Sequence, residues 1–339
     1  SEAMDLQLSG DGKFTKKCNQ WLENKIGAKK VLLTNSCTSA LEMSAILIDI
    51  QPGDEVIIPE PFYANYNGFA TLAGIKIVPV TARIEDGFSL PPMAEFERAI
   101  TDRTKAILIC NPGNPTGTKY PDLALEALAA LVQEKDLFLF ADEVYREFTY
   151  DGSNARSILT VPGLEEHAVV IDSVSKRYSM CGARIGALVT RNQAVRRTAM
   201  KFAMARLSPP TLAQIAAEAA LDTPDAYFDE VRSSYRDRRD ALVDGLAAID
   251  GVTCPKPGGA FYAVAKLPID DADAFCQWML ESFEHEGATV MMAPNTGFYA
   301  TRGLGKQEVR MAYVLKREEI EKAVACLRAA LSAYPGTVK

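Results

Sequence analysis

The chain has 339 residues, 48 % of them hydrophobic and 24 % charged, a balance that suits a globular protein long enough for two domains. Its formal net charge of −7 leaves no basic footprint for nucleic acid or an anionic membrane surface. Seven scattered cysteines with no Cys-x-x-Cys pair argue against a disulfide framework or a zinc cluster and point to the cytoplasm, and two histidines are too few for a histidine-rich metal site.

From the amino end, SEAMDLQLSGDG does not read as a signal peptide, and no later apolar run reaches the length of a membrane span. Short apolar runs at 30–34, 55–59, 76–80, 105–109, 138–142, 168–173 and 185–190 read as strands. Most are apolar on both faces, as in a sheet covered by helices on each side. Between them lie helical stretches, such as the stripe of Met43, Ile46, Leu47 and Ile50 and the Ala/Leu-rich segment from Leu123 to Leu131. This alternation predicts an α/β domain with a mostly parallel seven-stranded sheet over residues 1–221. The pattern changes after Thr190. A long helix carries Phe228, Val231, Tyr235 and Leu242 on one stripe and stops near Asp250-Gly251. A strand in GGAFYAVAKL, a helix around 272–283, a strand in EVRMAYV and a last helix then predict a smaller α+β domain over residues 222–339.

Parallel sheets bind ligands at the carboxyl ends of their strands, so the chemistry is sought there. Lys176, in SVSKRYSMCGARIG, follows the strand AVVIDS, with Ser173 before it and Arg184 eight residues on. A lysine that attacks an aldehyde must be partly neutral, which burial and a nearby cation supply. Asn114 sits in the loop CNPGNPTG, where its amide can bond a phenolic oxygen and a carboxylate together. Asp142 ends the apolar run FLFAD, and a buried carboxylate there calls for a cation such as a protonated pyridine nitrogen; a helix N-cap is the plainer role. Tyr145, three residues on, is in reach of a ring phenolate. In LTNSCTSALEM a strand runs through Ser36, Cys37, Thr38 and Ser39 into a helix, an arrangement that suits a phosphate as well as an ordinary cap. Tyr63 in EPFYANY suits stacking on a flat ring or core packing. Arg310 in EVRMAYV suits a two-bond grip on a carboxylate or a structural ion pair.

Taken together, EPFYANYNGFA, CNPGNPTG, ADEVYREF, DSVSKRYSMCGARIG, PGGAFY and VRMAYV, in that order, resemble class I aminotransferases of the aspartate aminotransferase group. The resemblance implies the type I fold of pyridoxal 5′-phosphate enzymes. It also implies amino-acid and 2-oxo-acid substrates, exchanged by a ping-pong mechanism, and a homodimer. Lys176 would hold the cofactor as a Schiff base, Asp142 would pair with the pyridine nitrogen, and Tyr145 and Asn114 would bond the ring oxygen beneath a stacked Tyr63. Cys37, Thr38, Ser39, Ser173 and Arg184 would cradle the phosphate, and Arg310 with Asn114 would receive the substrate carboxylate.

Residues 8–58 look instead like the start of nucleotide-sugar aminotransferases, which predicts a mosaic with a seam near Ile57–Glu60 and an amino-terminal region shorter than usual for class I. A keto-sugar aminotransferase, a pyridoxal-phosphate lyase and a weakly active or inactive engineered chimera therefore stand as alternatives on the sequence.

Overall fold

The computed structural model describes residues 13–26, 30–34, 50–152 and 154–338. The apolar runs of the first two-thirds form one sheet. Its strands are β1 (Lys30–Thr34), β2 (Glu55–Glu60), β3 (Lys76–Thr81), β4 (Thr104–Cys110), β5 (Phe138–Asp142), β6 (Ala168–Ser173) and β7 (Gly186–Thr190). They lie in the order β1-β7-β6-β5-β4-β2-β3. β7 runs antiparallel to β1 and β6, and the other neighbours pair in parallel. The expected α/β class and mostly parallel sheet are what the molecule has.

Helices α1 (Lys13–Ile26), α2 (Asn65–Ala73), α3 (Met93–Ala99), α4 (Asp122–Glu134), α5 (Val174–Arg177), α6 (Gln193–Arg206) and α7 (Thr211–Ala220) accompany these strands. Side chains of β4 alternate between two apolar layers, which explains why its sequence is apolar throughout. Ile107 and Ile109 join Leu125 and Leu128 of α4 in one layer, whereas Ala106 and Leu108 join Val195 and Ala199 of α6 in the other. Each fully buried branched side chain contributes about 1.5–3 kcal/mol. The helix expected through Met43, Ile46 and Leu47 lies outside the described residues.

The second core surrounds a three-stranded antiparallel sheet, β8 (Tyr262–Lys266), β10 (Glu308–Ala312) and β9 (Ala293–Pro294), with β10 in the middle. Helices α8 (Asp225–Ala247), α9 (Ala272–Glu281) and α10 (Arg317–Ala333) cover it through Leu242, Leu246, Phe275, Leu327 and Leu331. Of the stripe expected on α8, Leu242 is buried in this core, Val231 and Tyr235 pack against it, and Phe228 instead meets the Tyr178 ring at 5.8 Å. Phe148 and Tyr150, from the segment after β5, belong to the same core and tie the two parts together. None of the described helices is long and apolar enough to cross a membrane.

Candidate active site

The carboxyl ends of β2, β4, β5 and β6 open on one side of the large sheet, and the loops that follow them meet the face of β8 and β10. Between them lies a cavity of about 350 Å³ lined by Tyr63, Asn114, Asp142, Tyr145, Lys176 and Arg310. Ser173 and Arg184 line it too. The volume falls in the range of small-ligand sites. Eight of the eleven residues expected from the sequence are thus brought together; Cys37, Thr38 and Ser39, with Ser36, lie outside the described residues.

Each side chain owes its place to local structure. β6 ends at Ser173, whose hydroxyl accepts from the Ser175 amide at 3.1 Å and caps the four-residue α5. That single turn carries Lys176 into the cavity, where its Nζ makes a long 3.9 Å contact with Cys181 Sγ. The next residue anchors the turn from behind. Arg177 is buried and pairs with Asp172 at 2.7 Å and Glu147 at 3.2 Å. Burial opposes its charge, but the two carboxylates prevail and hold it above the ordinary arginine value. Arg184 sits in the left-handed region (φ 55°), bending the chain after Cys181-Gly182 back toward the cavity, and donates to the Cys181 carbonyl at 3.0 Å.

Asp142 ends β5 in register with Cys110, the last residue of β4. Its carboxylate is buried and accepts from the Tyr66 hydroxyl at 3.1 Å and more weakly from the Val144 amide at 3.3 Å. The Cys110 thiol beside it is pushed well above the ordinary range by burial and then by the Asp142 charge, so it stays neutral. Tyr145 is buried, and its hydroxyl lies 3.2 Å from that of Tyr262. Burial first, and then Tyr262, raise the Tyr145 phenol far above its usual value, which keeps its proton available for donation. Tyr63 borders the cavity edge-on to Tyr66, with centroids 5.5 Å apart.

The loop bearing Asn114 is held by its own glycine. Gly117 has φ +69°, and a Cβ there would collide with the Tyr262 carbonyl oxygen and Pro257. Asn111 fastens the far end by accepting from the Tyr120 amide at 2.9 Å. Arg310, on β10, donates through Nη1 to Asn114 Oδ1 at 3.0 Å and lies between the rings of Tyr262 (4.7 Å) and Phe298 (4.8 Å). Its Nε is buried and has no hydrogen-bond partner among the described residues.

These features fit a flat, anionic heteroaromatic cofactor with a carboxylate substrate beside it. The fit rests on the orphaned Arg310 Nε, a donor that a carboxylate would satisfy, and on a lysine amine whose described contact is one long approach to a thiol. Sequence reasoning missed Tyr66, Cys110, Ser175, Cys181 and Tyr262. Tyr66 carried a faint signal, an aromatic three residues after Tyr63 where α2 begins, and Tyr262 stood inside a quoted motif. Cys110, Ser175 and Cys181 likewise stood inside quoted motifs, with nothing in their residue type to mark them.

A family model described as aminotransferase class I and II matches residues 6–327 and runs through the expected seam, so one family accounts for both sides of it. The aspartate/prephenate aminotransferase of Thermus thermophilus is 34 % identical over 281 residues, 81 % of this chain and 69 % of that enzyme. The aspartate aminotransferase of Bacillus subtilis is 32 % identical over 306 residues, 88 % and 72 % of the two chains. Among solved structures, a double mutant of the Thermus thermophilus aspartate aminotransferase superposes with a TM-score of 0.85 at 29 % identity, over 97 % of this chain and 86 % of that one. The aromatic aminotransferase from Pyrococcus horikoshii OT3 gives 0.86 at 28 %, over 98 % and 90 %.

Proposed function

The chain belongs to the class I and II aminotransferases and is a pyridoxal-phosphate-dependent enzyme; from that premise we propose that the cavity at the strand ends is its active site, with Lys176 holding the cofactor. When bound, the cofactor accepts electron density from the substrate α-carbon and carries the amino group from donor to acceptor. The protein's part is to bind, orient and move protons. Asp142 keeps the pyridine nitrogen protonated, Asn114 and Tyr145 donate to the ring oxygen, and Tyr63 covers the ring face. Ser173 and Arg184 hold the phosphate with Cys37, Thr38 and Ser39. Arg310, with Asn114, takes the substrate α-carboxylate and fixes which bond at the α-carbon faces the Lys176 amine. That amine, once released, moves the α-proton.

The observation that carries this reading is the convergence of Lys176, Asp142 and Arg310 on one cavity, although they lie on separate elements up to 168 residues apart in sequence. As donor we assign an aspartate-like amino acid, on the names of the relatives, and as acceptor a 2-oxo acid. We place the enzyme in the cytoplasm on its cysteine usage, and assign it as a homodimer on the family's habit of building the site across two subunits. The large domain takes residues 1–221 and the small one 222–339, the division falling just before α8. A single-turnover titration of the cofactor-loaded protein with aspartate tests the assignment. Loss of the cofactor's visible absorbance with one equivalent of 2-oxo acid is expected. Release of ammonia, with the visible absorbance retained, would instead make the protein a lyase.

A further inference from the structure

The roles assigned so far divide the cavity into a cofactor half and a substrate half, and Tyr262 touches both. We propose that Tyr262 is a positioning residue that couples them: its hydroxyl aims the Tyr145 proton at the cofactor's ring oxygen, while its ring face holds the Arg310 guanidinium in place for the substrate carboxylate. This rests on the reading of the cavity as the cofactor and substrate site.

The cofactor side follows from counting protons. A neutral tyrosine has one proton to give and can accept another. Tyr145 is kept in that state first by burial and then by the neighbouring Tyr262 hydroxyl, and Cys110 and Asp142 beside it add to the same effect. If Tyr145 donated to Tyr262 across their 3.2 Å contact, it would have nothing left for the ring oxygen. When Tyr262 donates instead, the Tyr145 proton is directed into the cavity. Either hydroxyl can donate across this contact; with a cofactor oxygen accepting from Tyr145, Tyr262 is the one that donates, and its bond then holds the Tyr145 hydroxyl in the productive orientation.

The substrate side follows from strand parity. Tyr262 pairs with Ala312 and Val264 with Arg310, so Tyr262 and Arg310 share one face of the sheet as diagonal neighbours, in reach of each other for an aromatic and a long side chain. The guanidinium carbon lies 4.7 Å from the Tyr262 ring centroid, with Phe298 at 4.8 Å. Stacking of this kind orients a guanidinium without using its donors. The backbone clamps the arrangement: the Gly259 amide donates to the Gly117 carbonyl at 2.8 Å, and Gly117 packs on the Tyr262 carbonyl oxygen. Tyr262 is therefore registered to the same loop that presents Asn114, the hydrogen-bond partner of Arg310.

The two contacts use different parts of one side chain, so two variants separate them. Tyr262→Phe keeps the ring and removes the hydroxyl; Tyr262→Leu removes both. Each variant and the wild type are loaded with pyridoxal 5′-phosphate, and folding is checked by circular dichroism. The pH midpoint of the cofactor's visible absorbance is then recorded, along with KM for aspartate and for phenylalanine. A donor at the ring oxygen stabilises the deprotonated form, so loss of its aim should raise that midpoint by about half a unit to one unit in Tyr262→Phe, with both KM values within about twofold of wild type. Tyr262→Leu should raise the midpoint similarly and KM by about five- to tenfold. An unmoved midpoint in Tyr262→Phe, or unmoved KM values in a folded Tyr262→Leu, would overturn the coupling. A wild type that gains no visible absorbance from the cofactor would overturn the underlying reading, and the proposal with it.

Discussion

A guanidinium already held between two aromatic faces has little freedom left to lose when it meets a carboxylate. Arg310 is in that state, with its Nη1 on Asn114 and its buried Nε lacking a partner among the described residues. Arg310→Ala should accordingly raise KM for the amino donor by roughly a hundredfold, the scale of a lost charge-assisted pair, while leaving the affinity for pyridoxal 5′-phosphate close to wild type. Steady-state kinetics and a cofactor titration check both halves. An unchanged KM would remove Arg310 from the substrate side. Among single residues, the sequence foretold a place at the cavity where a chemistry-bearing side chain stood in a recognisable setting. Lys176 after a strand, Asp142 at the end of an apolar run and Asn114 between turn residues could all be read in advance. Tyr66, Cys110 and Ser175 could not, because a tyrosine, a buried thiol and a serine near strand ends have ordinary structural roles that spacing does not distinguish from these.

Asp142 faces the cavity, while Glu143, the next residue, points the other way and is buried beside Arg146 (3.3 Å) and the Ile158 amide (2.9 Å). Burial lifts the Glu143 carboxyl to about 7, against the pull of Arg146. Folding thus raises its pKa, the folded state binds the proton more tightly, and the resulting stability is full at acid pH and lost as pH rises toward 7. Between pH 5 and 8 the wild type should lose on the order of 2 kcal/mol that Glu143→Gln retains, because an amide still accepts from Ile158 and carries no charge to bury. Denaturant unfolding of both proteins across that range measures it, and parallel pH profiles would contradict it. The strands themselves were legible because apolar runs of four to seven residues bounded by turn residues admit few other readings. Their order was not: β7, antiparallel to both its neighbours, is as uniformly buried and apolar as the parallel β2, and only the path of the chain reverses it.

At the scale of the whole molecule, two apolar cores meet where loops from one face the sheet of the other, and the cavity lies at that junction. The sequence expects a smaller second domain from residue 222, and the second core is built from α8 onward together with Phe148 and Tyr150. The seam expected near Ile57–Glu60 came from an unfamiliar opening stretch, yet β2 crosses that point as a fully buried strand paired with β3 and β4, and the family match runs through it. Residues 8–58 departed from the motifs that carried the resemblance, although those described among them supply α1, β1 and the start of β2 to the same fold, and a reading built on motifs takes such a departure for a different origin. The proposed chemistry depends on one covalent bond, that between Lys176 and the cofactor. Borohydride reduction of the cofactor-loaded protein, followed by proteolysis and mass spectrometry, tests it directly: the phosphopyridoxyl group should be found on Lys176, in the peptide that also carries Ser175, and be absent from the Lys176→Ala protein. A label on another lysine, or one that persists in the variant, would contradict the account.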